Sequence, residues 1–586
     1  MECNYNKKSE MNNWFATLVL GFLVLEINIC SQESNAPYSA DGDVKSIEYY
    51  VAFTEATKYF LFGNYVQAVS LYNECLKMRP SSGAVHFQLS RIYLNSGNTL
   101  LAAEQAKKAC EFNKGNKWYL QGLADIYQVA QKYDSAVIVL KQILIVDPEN
   151  ISNIFSIAAL DEKLGKNEEA LLYYSKIDSK IGVSKEVSMG RYRIFNGQKL
   201  YKPAIEQLMI ALKLSDDEYS INGMIAEFYR SQHEIDSAFK YYRKIYPAYK
   251  NDAVVVFSFA EFLLEQGNTD TAKAMLLDVI MATSIDNRIK SGYFFKLLQD
   301  EHLFELAKPL LDTLVTVYYR IYYNDIHAMS IYSDIEVRLG NYQHASNALR
   351  SIIAVDNRNY IAFEQLIYAM NVLGKTDSVI FYSNEAMIKF EEKPILYLFN
   401  GAAKLQTGNY SEACKVLEKG LALTEDNSLK LEFYGLLAEC YQNLKQYSNS
   451  VAAFNSALTI DKDNLGIKNN YAYYMALREE NLMLARRMSR SVIRSQQHNS
   501  TYLDTYAWVL FKMKKYHKAK KFIIKAMESG GRTNEEILVH CGEVYVSLKA
   551  YSEAIDCFDR AMLLVKESEK EELNKRINEV RNLRSR

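Results

Sequence analysis

Apolar and small residues recur along the chain at spacings of three and four, the pattern of a helix with one buried face. In one stretch these positions are Ala136, Val139, Leu140 and Ile143. The stretches come in pairs separated by a short turn that often holds glycine, as at Gly63. This pattern predicts helical hairpins, and a single hairpin of this kind cannot bury its apolar faces without a neighbour.

The hairpins recur at a constant interval. The turn sequence Gly-Asn-Tyr, followed after two residues by Ala, begins at Gly63, Gly340 and Gly408. Its alanine defines a series of anchors in which the first six intervals are each 34 residues and later ones contain small insertions. The anchors are Ala68, Ala102, Ala136, Ala170, Ala204, Ala238, Ala272, Ala307, Ala345, Val379, Ala413, Ser450, Ala485, Ala519 and Ala554. The sequence therefore predicts fifteen consecutive repeats.

A 34-residue period with this pattern resembles the tetratricopeptide repeat family. The family consensus has a small residue at position 8, Tyr at 11, Ala at 20, an aromatic or apolar residue at 24, a small residue at 27 and Pro at 32. In the first repeat these positions hold Ala56, Tyr59, Ala68, Tyr72, Cys75 and Pro80. The resemblance covers roughly 49–568 and implies an all-α fold: a right-handed α-solenoid of about fifteen helix-turn-helix repeats.

The segment 285–325 departs most from the pattern. It lacks the small residue at position 8, and Pro309 falls within the predicted second helix, where a proline kinks or shortens the helix unless it lies in the first turn. We interpret the segment as a seam between two sub-arrays of seven repeats, 49–284 and 326–568; the alternative is a merely degenerate repeat. Residues 569–586, rich in Glu and Arg, are expected to form a C-terminal capping helix.

The N-terminal residues favour an export signal. Two lysines precede an apolar run over 14–25 that is short for a membrane span but suits the core of a signal peptide. We expect residues 1–31 to be cleaved and 32–48 to be a linker. A lipid anchor on Cys30, or retention of the apolar segment as an anchor, are the alternatives. The protein is therefore predicted to be exported, and periplasmic or envelope-associated, with membrane contact only through such an anchor.

Composition supports helices and argues against nucleic-acid binding. Of 586 residues, 49% are hydrophobic, and only 24 are Gly and 7 are Pro, so a turn-rich β or Rossmann fold is disfavoured. The net charge is −1, which does not provide the basic surface of a nucleic-acid-binding protein.

No catalytic, cofactor or metal motif stands out in the sequence. The eight histidines have no partner at metal-ligand spacing. Gly374-Lys375-Thr376 ends like a phosphate loop, but the required upstream glycine is replaced by Ala369. Because repeats occupy nearly the whole chain, no segment is left for a separate catalytic domain. We predict no enzymatic activity, no cofactor and no metal.

Cysteines form no CxxC pair. Cys541 and Cys557 lie on the two predicted helices of one hairpin and are the pair to test for a disulfide, although free thiols are favoured.

Candidate binding residues come from the resemblance, which implies that the first helix of each repeat lines a concave groove with position 9 facing the ligand. The candidates are Arg91, Asp125, Arg193, Glu227, Glu261, Asp334, Glu439, Trp508 and Glu543. The acidic excess predicts a mildly negative groove that favours basic or polar partners, unless the charges only solvate the face. Trp508 is a candidate anchor or a residue that packs on the next helix. A clamp for a C-terminal carboxylate would find only Arg91 and Asn95 in suitable positions.

These observations predict a non-catalytic scaffold that binds a protein or an extended peptide in its groove. The alternative is a structural subunit of a cell-envelope assembly for secretion, motility or polysaccharide export. Sugar binding by the many tyrosines is weaker, because most of them occupy core consensus positions.

Overall fold

The computed structural model describes residues 40–215, 218–565 and 567–585. The predicted signal, 1–31, lies outside these residues. Within them every regular element is a helix, and consecutive helices pack as hairpins that repeat along the chain. The prediction of an all-α solenoid of helix-turn-helix repeats is confirmed.

The chain divides into two compact units, with the boundary between Lys250 and Asn251. The helices of the first unit are α1 (Ala40–Leu61), α2 (Tyr65–Met78), α3 (Gly83–Asn95), α4 (Thr99–Phe112), α5 (Lys117–Val129), α6 (Tyr133–Val146), α7 (Ile151–Lys163), α8 (Asn167–Ile181), α9 (Lys185–Gly197), α10 (Tyr201–Lys213), α11 (Glu218–Ser231) and α12 (Ile235–Tyr249).

The second unit continues the same alternation. Its helices are α13 (Ala253–Glu265), α14 (Thr269–Met281), α15 (Asn287–Gln299), α16 (Glu301–Ile321), α17 (Ile326–Leu339), α18 (Tyr342–Val355), α19 (Tyr360–Val372), α20 (Thr376–Lys389), α21 (Pro394–Gln406), α22 (Tyr410–Ala422), α23 (Asn427–Asn443), α24 (Tyr447–Ile460), α25 (Leu465–Leu477), α26 (Leu482–Ser495), α27 (Ser500–Lys512), α28 (Tyr516–Glu528), α29 (Glu535–Ser547), α30 (Tyr551–Met562) and α31 (Glu567–Arg584), with a short 3₁₀ helix at Gly531–Thr533. In each hairpin we call the odd-numbered helix A and the following even-numbered helix B.

Local sequence sets where the helices begin and end. Several A helices start at a side-chain cap; the Asn116 Oδ1 accepts hydrogen bonds from the backbone N–H groups of the next turn at 3.0 and 3.4 Å. The turn from helix A to helix B needs a left-handed residue, which is commonly glycine, as at Gly97 with φ of 77°. Lys514 takes the same role with φ of 60°.

Small residues bring the two helices of a hairpin close together. The anchor alanines, such as Ala136, are fully buried. At position 8, a Cβ on Gly401 would lie 2.4 Å from the side chain of Leu417, and a Cβ on Gly542 would lie 2.4 Å from Phe558. Leu417 and Phe558 both occupy position 24. The close contact between positions 8 and 24 follows the repeat register taken from the sequence.

The predicted seam contains a continuous helix. The helix α16 runs for 21 residues through Pro309, whereas α15 has 13 residues, so the predicted shortening is wrong. Phe304, Leu311 and Leu314 are fully buried on both sides of the proline. Their packing outweighs the one backbone hydrogen bond that proline removes.

The residues of the seam belong to the second unit. The Asn287 Nδ2 donates to the Asp325 carboxylate at 3.0 Å, and the Tyr318 hydroxyl donates to the Asn287 Oδ1 at 2.8 Å. The division into two compact units falls at 250/251, and the seam over 285–325 stays a prediction.

The last helix, α31, covers one end of the second unit. It buries Leu573, Ile577 and Val580 in the same apolar cluster as α29 and α30, and its other residues are largely polar. Among the described helices, none combines the length and the apolar character that a bilayer crossing requires.

Candidate functional site

The predicted groove residues of the first unit lie on A helices and form local contacts. Arg91 Nη1 donates to the Gln88 Oε1 at 2.9 Å, and its guanidinium lies 4.9 Å from the ring centroid of Phe60 on the preceding A helix. Asp125 accepts from the Gln121 Nε2 at 2.9 Å, and desolvation raises the pKa of its carboxyl group. The Asp125 side chain remains exposed to solvent.

Arg193 and Glu227 each pair with a neighbour. Arg193 donates two hydrogen bonds to the Glu162 carboxylate, from Nε at 2.6 Å and from Nη2 at 3.0 Å. Glu227 pairs with Arg230 at 3.3 Å and accepts a hydrogen bond from the Tyr242 hydroxyl. Both charges are compensated within the unit.

In the second unit, two predicted groove residues form ion pairs with the next repeat. Glu261 is buried and pairs with Lys296. Glu543 accepts two hydrogen bonds from Arg576 on α31, both at 2.7 Å. These carboxylates hold neighbouring repeats together and are not free to attract a charged partner.

The negative charges of Asp334 and Glu439 are less completely compensated by neighbouring groups. Asp334 accepts a hydrogen bond from the Gln365 Nε2 at 2.7 Å, and desolvation raises the pKa of its carboxyl group. Desolvation also raises the pKa of Glu439. Within the described part of the chain, the Glu439 carboxylate has no hydrogen-bond or ion-pair partner.

A ladder of polar side chains therefore links successive A helices at about one repeat length. Its steps are Glu162–Arg193, Glu261–Lys296, Asp334–Gln365 and Glu543–Arg576. Their separations of 31 to 35 residues are close to the 34-residue period. Searching the sequence for opposite charges one repeat apart would have identified three of these steps.

Trp508 is enclosed by neighbouring rings. Its indole stacks on Phe511 with ring centroids 4.7 Å apart, and on His540 of the next A helix with centroids 3.8 Å apart. The side chain is 9% exposed. The indole Nε1 is buried without a hydrogen-bond partner in the described residues. Trp508 thus packs on the next helix and presents little surface as an open anchor.

His540 and Asp504 form a buried ion pair beside this indole. The His540 Nδ1 lies 2.9 Å from the Asp504 Oδ2, and both side chains are buried. Burial disfavours the imidazolium, but attraction to Asp504 and the hydrogen bond outweigh it and raise the pKa of His540. Neither His540 nor Asp504 was singled out from the sequence, because the two are 36 residues apart.

Tyr473 also belongs to this cluster, although it lies two repeats before His540. Its hydroxyl donates to the Glu536 carboxylate, and its ring centroid lies 6.1 Å from that of His540. Tyr473 lies on α25 and Glu536 on α29, so this hydrogen bond joins two A helices that are separated in the chain by the A helix α27. We call Tyr473, Asp504, Trp508, Glu536 and His540 the C-terminal cluster.

Comparison of the sequence with family models gives two matches. Residues 431–464 match the model described as "Tetratricopeptide repeat", and residues 479–561 match "Anaphase-promoting complex, cyclosome, subunit 3". The first match coincides with the hairpin α23–α24, and the second spans α26 to α30. The segment 431–464 therefore matches a tetratricopeptide repeat, and the resemblance found in the sequence is confirmed.

Solved structures resemble the chain at low identity. The APC/C hetero-tetramer Cut9-Hcn1 is 15% identical, with 85% of this chain and 90% of that chain covered and a TM-score of 0.35. A tetratricopeptide repeat protein from Parabacteroides merdae ATCC 43184 is 15% identical, with 44% and 98% covered and a TM-score of 0.38. Yeast Tom70 is 13% identical, with 92% and 97% covered and a TM-score of 0.35. The search of curated protein sequences gives no significant match.

Two cysteines face each other in the hairpin of α29 and α30, and one of them, Cys541, directly follows His540 of the C-terminal cluster. The Cys557 Sγ–H donates to the Cys541 Sγ at 3.2 Å, and both side chains are buried. Both are free cysteines in the structure. Their proximity makes them the pair of this hairpin that oxidation can join.

Proposed function

We propose that the chain is a non-catalytic scaffold that binds a basic, extended protein segment on the A-helix face of its C-terminal repeats. Tetratricopeptide repeats support a role in protein interaction. The site that we assign to this role consists of Tyr473 and Glu536 of the C-terminal cluster together with Tyr474 and Glu439.

The observation that carries the proposal is an acidic and aromatic surface whose charges are incompletely compensated. Desolvation raises the pKa of the Tyr474 hydroxyl, and electrostatic repulsion from the nearby carboxylates of Glu439 and Glu536 adds to the rise. Elsewhere on the A-helix face, steps such as Glu543–Arg576 already contain their own cation. A lysine or arginine side chain of a partner would supply the missing positive charge.

The aromatic side chains provide the other part of the recognition. Tyr473 and Tyr474 are half-buried, and each presents a ring beside a carboxylate. A cation placed there gains from the ring faces as well as from the carboxylates. Lys512, 5.3 Å from the Trp508 ring centroid, already makes a contact of this type within the chain.

Site-specific photo-crosslinking tests the proposal. A photoreactive amino acid in place of Glu439 is expected to capture a protein whose crosslinked peptide is extended and rich in Lys or Arg. The same amino acid in place of Glu553, an exposed carboxylate on the B helix α30, is the matched control and should not capture it. Capture of the same protein from both positions, or of an acidic peptide from 439, would contradict the proposal.

Charge removal gives a second measurement. The double substitution Glu439→Gln and Glu536→Gln is expected to weaken binding of the captured peptide at least ~10-fold and to reduce its salt dependence. Glu553→Gln should leave both unchanged. If the wild type, the double variant and Glu553→Gln bind the peptide with equal affinity, the binding site is another surface.

Export to the periplasm or envelope remains a proposal supported by residues 1–31 alone. Sequencing the N-terminus of the protein from its native host would test it, with Gln32 as the expected first residue. In the alternative role, as a structural subunit of an envelope assembly, the protein would co-purify with one partner at a fixed stoichiometry. A detergent extract separated by size would distinguish this from binding of many basic segments.

A further inference from the structure

Two repeats place a carboxylate where the repeat consensus has the core tyrosine. Asp161 on α7 and Glu336 on α17 both occupy position 11, and both are buried. Burying a carboxylate is costly unless a nearby positive charge compensates it. The two repeats differ in how they provide that compensation.

Asp161 has lysines beside it. Its electrostatic neighbours include Lys141 and Lys166, which favour the charged carboxylate, and Glu169, which opposes it. Lys141 occupies position 25 of the preceding repeat, and Glu169 occupies position 19 of the same repeat as Asp161. The chain therefore supplies its own cations at this site.

Glu336 has a different set of neighbours in the same register. Position 25 of the preceding repeat is Asp312, where the other site has Lys141, and position 19 is His344. Burial and Asp312 disfavour the charged carboxylate of Glu336, whereas the neighbouring amide of Asn341 and the imidazole of His344 favour it. A second carboxylate has thus replaced the lysine.

The buried carboxylate of Glu336 also lacks hydrogen bonds. Its side chain is 0% exposed, and neither Oε1 nor Oε2 has a hydrogen-bond partner in the described residues. The His344 Nδ1 lies 3.4 Å from the Oε2, but this approach does not have hydrogen-bond geometry. The cluster faces solvent only through Asp312 and His344, which are exposed.

The three side chains are arranged as metal ligands. One ligand atom from each of Asp312, Glu336 and His344 lies within 4.8 Å of the others. In a tetrahedral zinc site with ligand distances near ~2.0–2.2 Å, neighbouring ligand atoms are roughly 3.3–3.6 Å apart. The pair Glu336–His344 already has this separation, so a small side-chain movement of Asp312 completes the set.

We propose that Asp312, Glu336 and His344 bind one divalent transition-metal ion, with Zn²⁺ preferred, that links helices α16, α17 and α18. An imidazole with two carboxylates suits zinc better than magnesium or calcium, which prefer oxygen ligands alone. Three protein ligands leave a fourth position for water. The ion would supply the positive charge that Lys141 supplies beside Asp161.

Equilibrium dialysis against ZnCl₂, with zinc measured by mass spectrometry, tests the site in the full chain. After chelator treatment, the wild-type protein is expected to take up one zinc ion that Mg²⁺ does not displace. Glu336→Gln and His344→Gln should each lose it, whereas His327→Gln, an exposed histidine on the same helix α17, should keep it. Wild-type protein without zinc, or equal zinc in all four proteins, would overturn the proposal.

Asp312→Lys gives a second test that does not depend on losing a buried side chain. It places a lysine beside Glu336, as Lys141 lies beside Asp161. It is expected to fold, to bind no zinc, and to show a thermal unfolding temperature that chelator does not change. The wild-type unfolding temperature should fall when chelator removes zinc. If Asp312→Lys binds zinc as the wild type does, or if chelator leaves the zinc-loaded wild type unchanged, the three residues are not the site.

Discussion

The imidazole of His540 lies almost parallel to the indole of Trp508, with ring centroids 3.8 Å apart and an angle of 16° between the planes. This contact joins the A helices of successive repeats at Trp508, for which the sequence offers two roles, an anchor for a partner or packing on the next helix. The same imidazole is held by Asp504. An ion pair and an aromatic stack thus fix one inter-repeat interface of the C-terminal cluster.

The ion pair predicts a pH-dependent stability. Because the pKa of His540 is raised in the folded state, its contribution to stability is present below the unfolded value of about 6.5 and is lost as pH rises through the folded pKa. Urea unfolding of the wild type and of Asp504→Asn should therefore differ by about 3 kcal/mol below pH 6, where the variant leaves a buried imidazolium unpaired. The difference should shrink above neutral pH.

His540→Gln provides the control for this titration. It removes the titrating group, so adding Asp504→Asn to it should produce no pH-dependent difference. If the free energies of unfolding of the wild type and of Asp504→Asn differ by the same amount from pH 5 to 9, Asp504 acts through packing alone.

The hairpins were predictable from the sequence because their packing depends on residue size at fixed positions. Ala136 and Gly542 indicate close helix contacts without knowledge of their partners. The pair Asp504–His540 was not predictable in this way, because it depends on how far one A helix is rotated against the next. The effect of Pro309 was misjudged because burial on both sides of a proline is not visible in its local sequence.

Two glycines should respond in opposite directions to alanine. Gly542→Ala places a Cβ 2.4 Å from Phe558 and is expected to destabilise the repeat by ~1–3 kcal/mol. Gly223 lies in α11, where an added Cβ would meet no neighbouring atom within 4 Å. Gly223→Ala should therefore stabilise the protein by ~0.5–1 kcal/mol through the higher helix propensity of alanine. Urea midpoints of the two variants measure both effects. Equal shifts would contradict the contact between positions 8 and 24.

Overpacking at the anchor position tests the register in the first unit. Ala136→Leu is expected to destabilise the hairpin of α5 and α6 by roughly 1–3 kcal/mol, because Ala136 is fully buried. Hydrogen exchange over 117–146 should become faster. Ala354→Leu, at an exposed position of α18, is the control and should change little. Unchanged exchange in the Ala136 variant would argue against the assigned anchors.

Oxidation should join Cys541 and Cys557. Their sulfur atoms are 3.2 Å apart, so a movement of about 1 Å brings them to bonding distance. Treatment with diamide, which accepts the two hydrogen atoms of the thiols, is expected to form one internal disulfide. A mass spectrum of the digested protein should then show the peptide containing Cys541 linked to the peptide containing Cys557. The bond closes a short loop and should stabilise the last hairpin by roughly 3 kcal/mol. Cys541→Ser should abolish both effects, and oxidation of Cys75 or Cys110 in its place would contradict the prediction.

The division between Lys250 and Asn251 changes where the chain is expected to break into independent folding units. A repeat array is cooperative only as far as its interfaces carry the coupling, so two units predict more than one unfolding step. Fragments 32–250 and 251–586 should each fold and reproduce the denaturant midpoints of the full chain. A fragment beginning at 325 lacks α15 and α16 and therefore loses the hydrogen bonds from Asn287 to Asp325 and from Arg338 to the Leu298 carbonyl, so it should unfold at lower urea. If 325–586 is as stable as 251–586, the boundary lies at the seam that the sequence proposes.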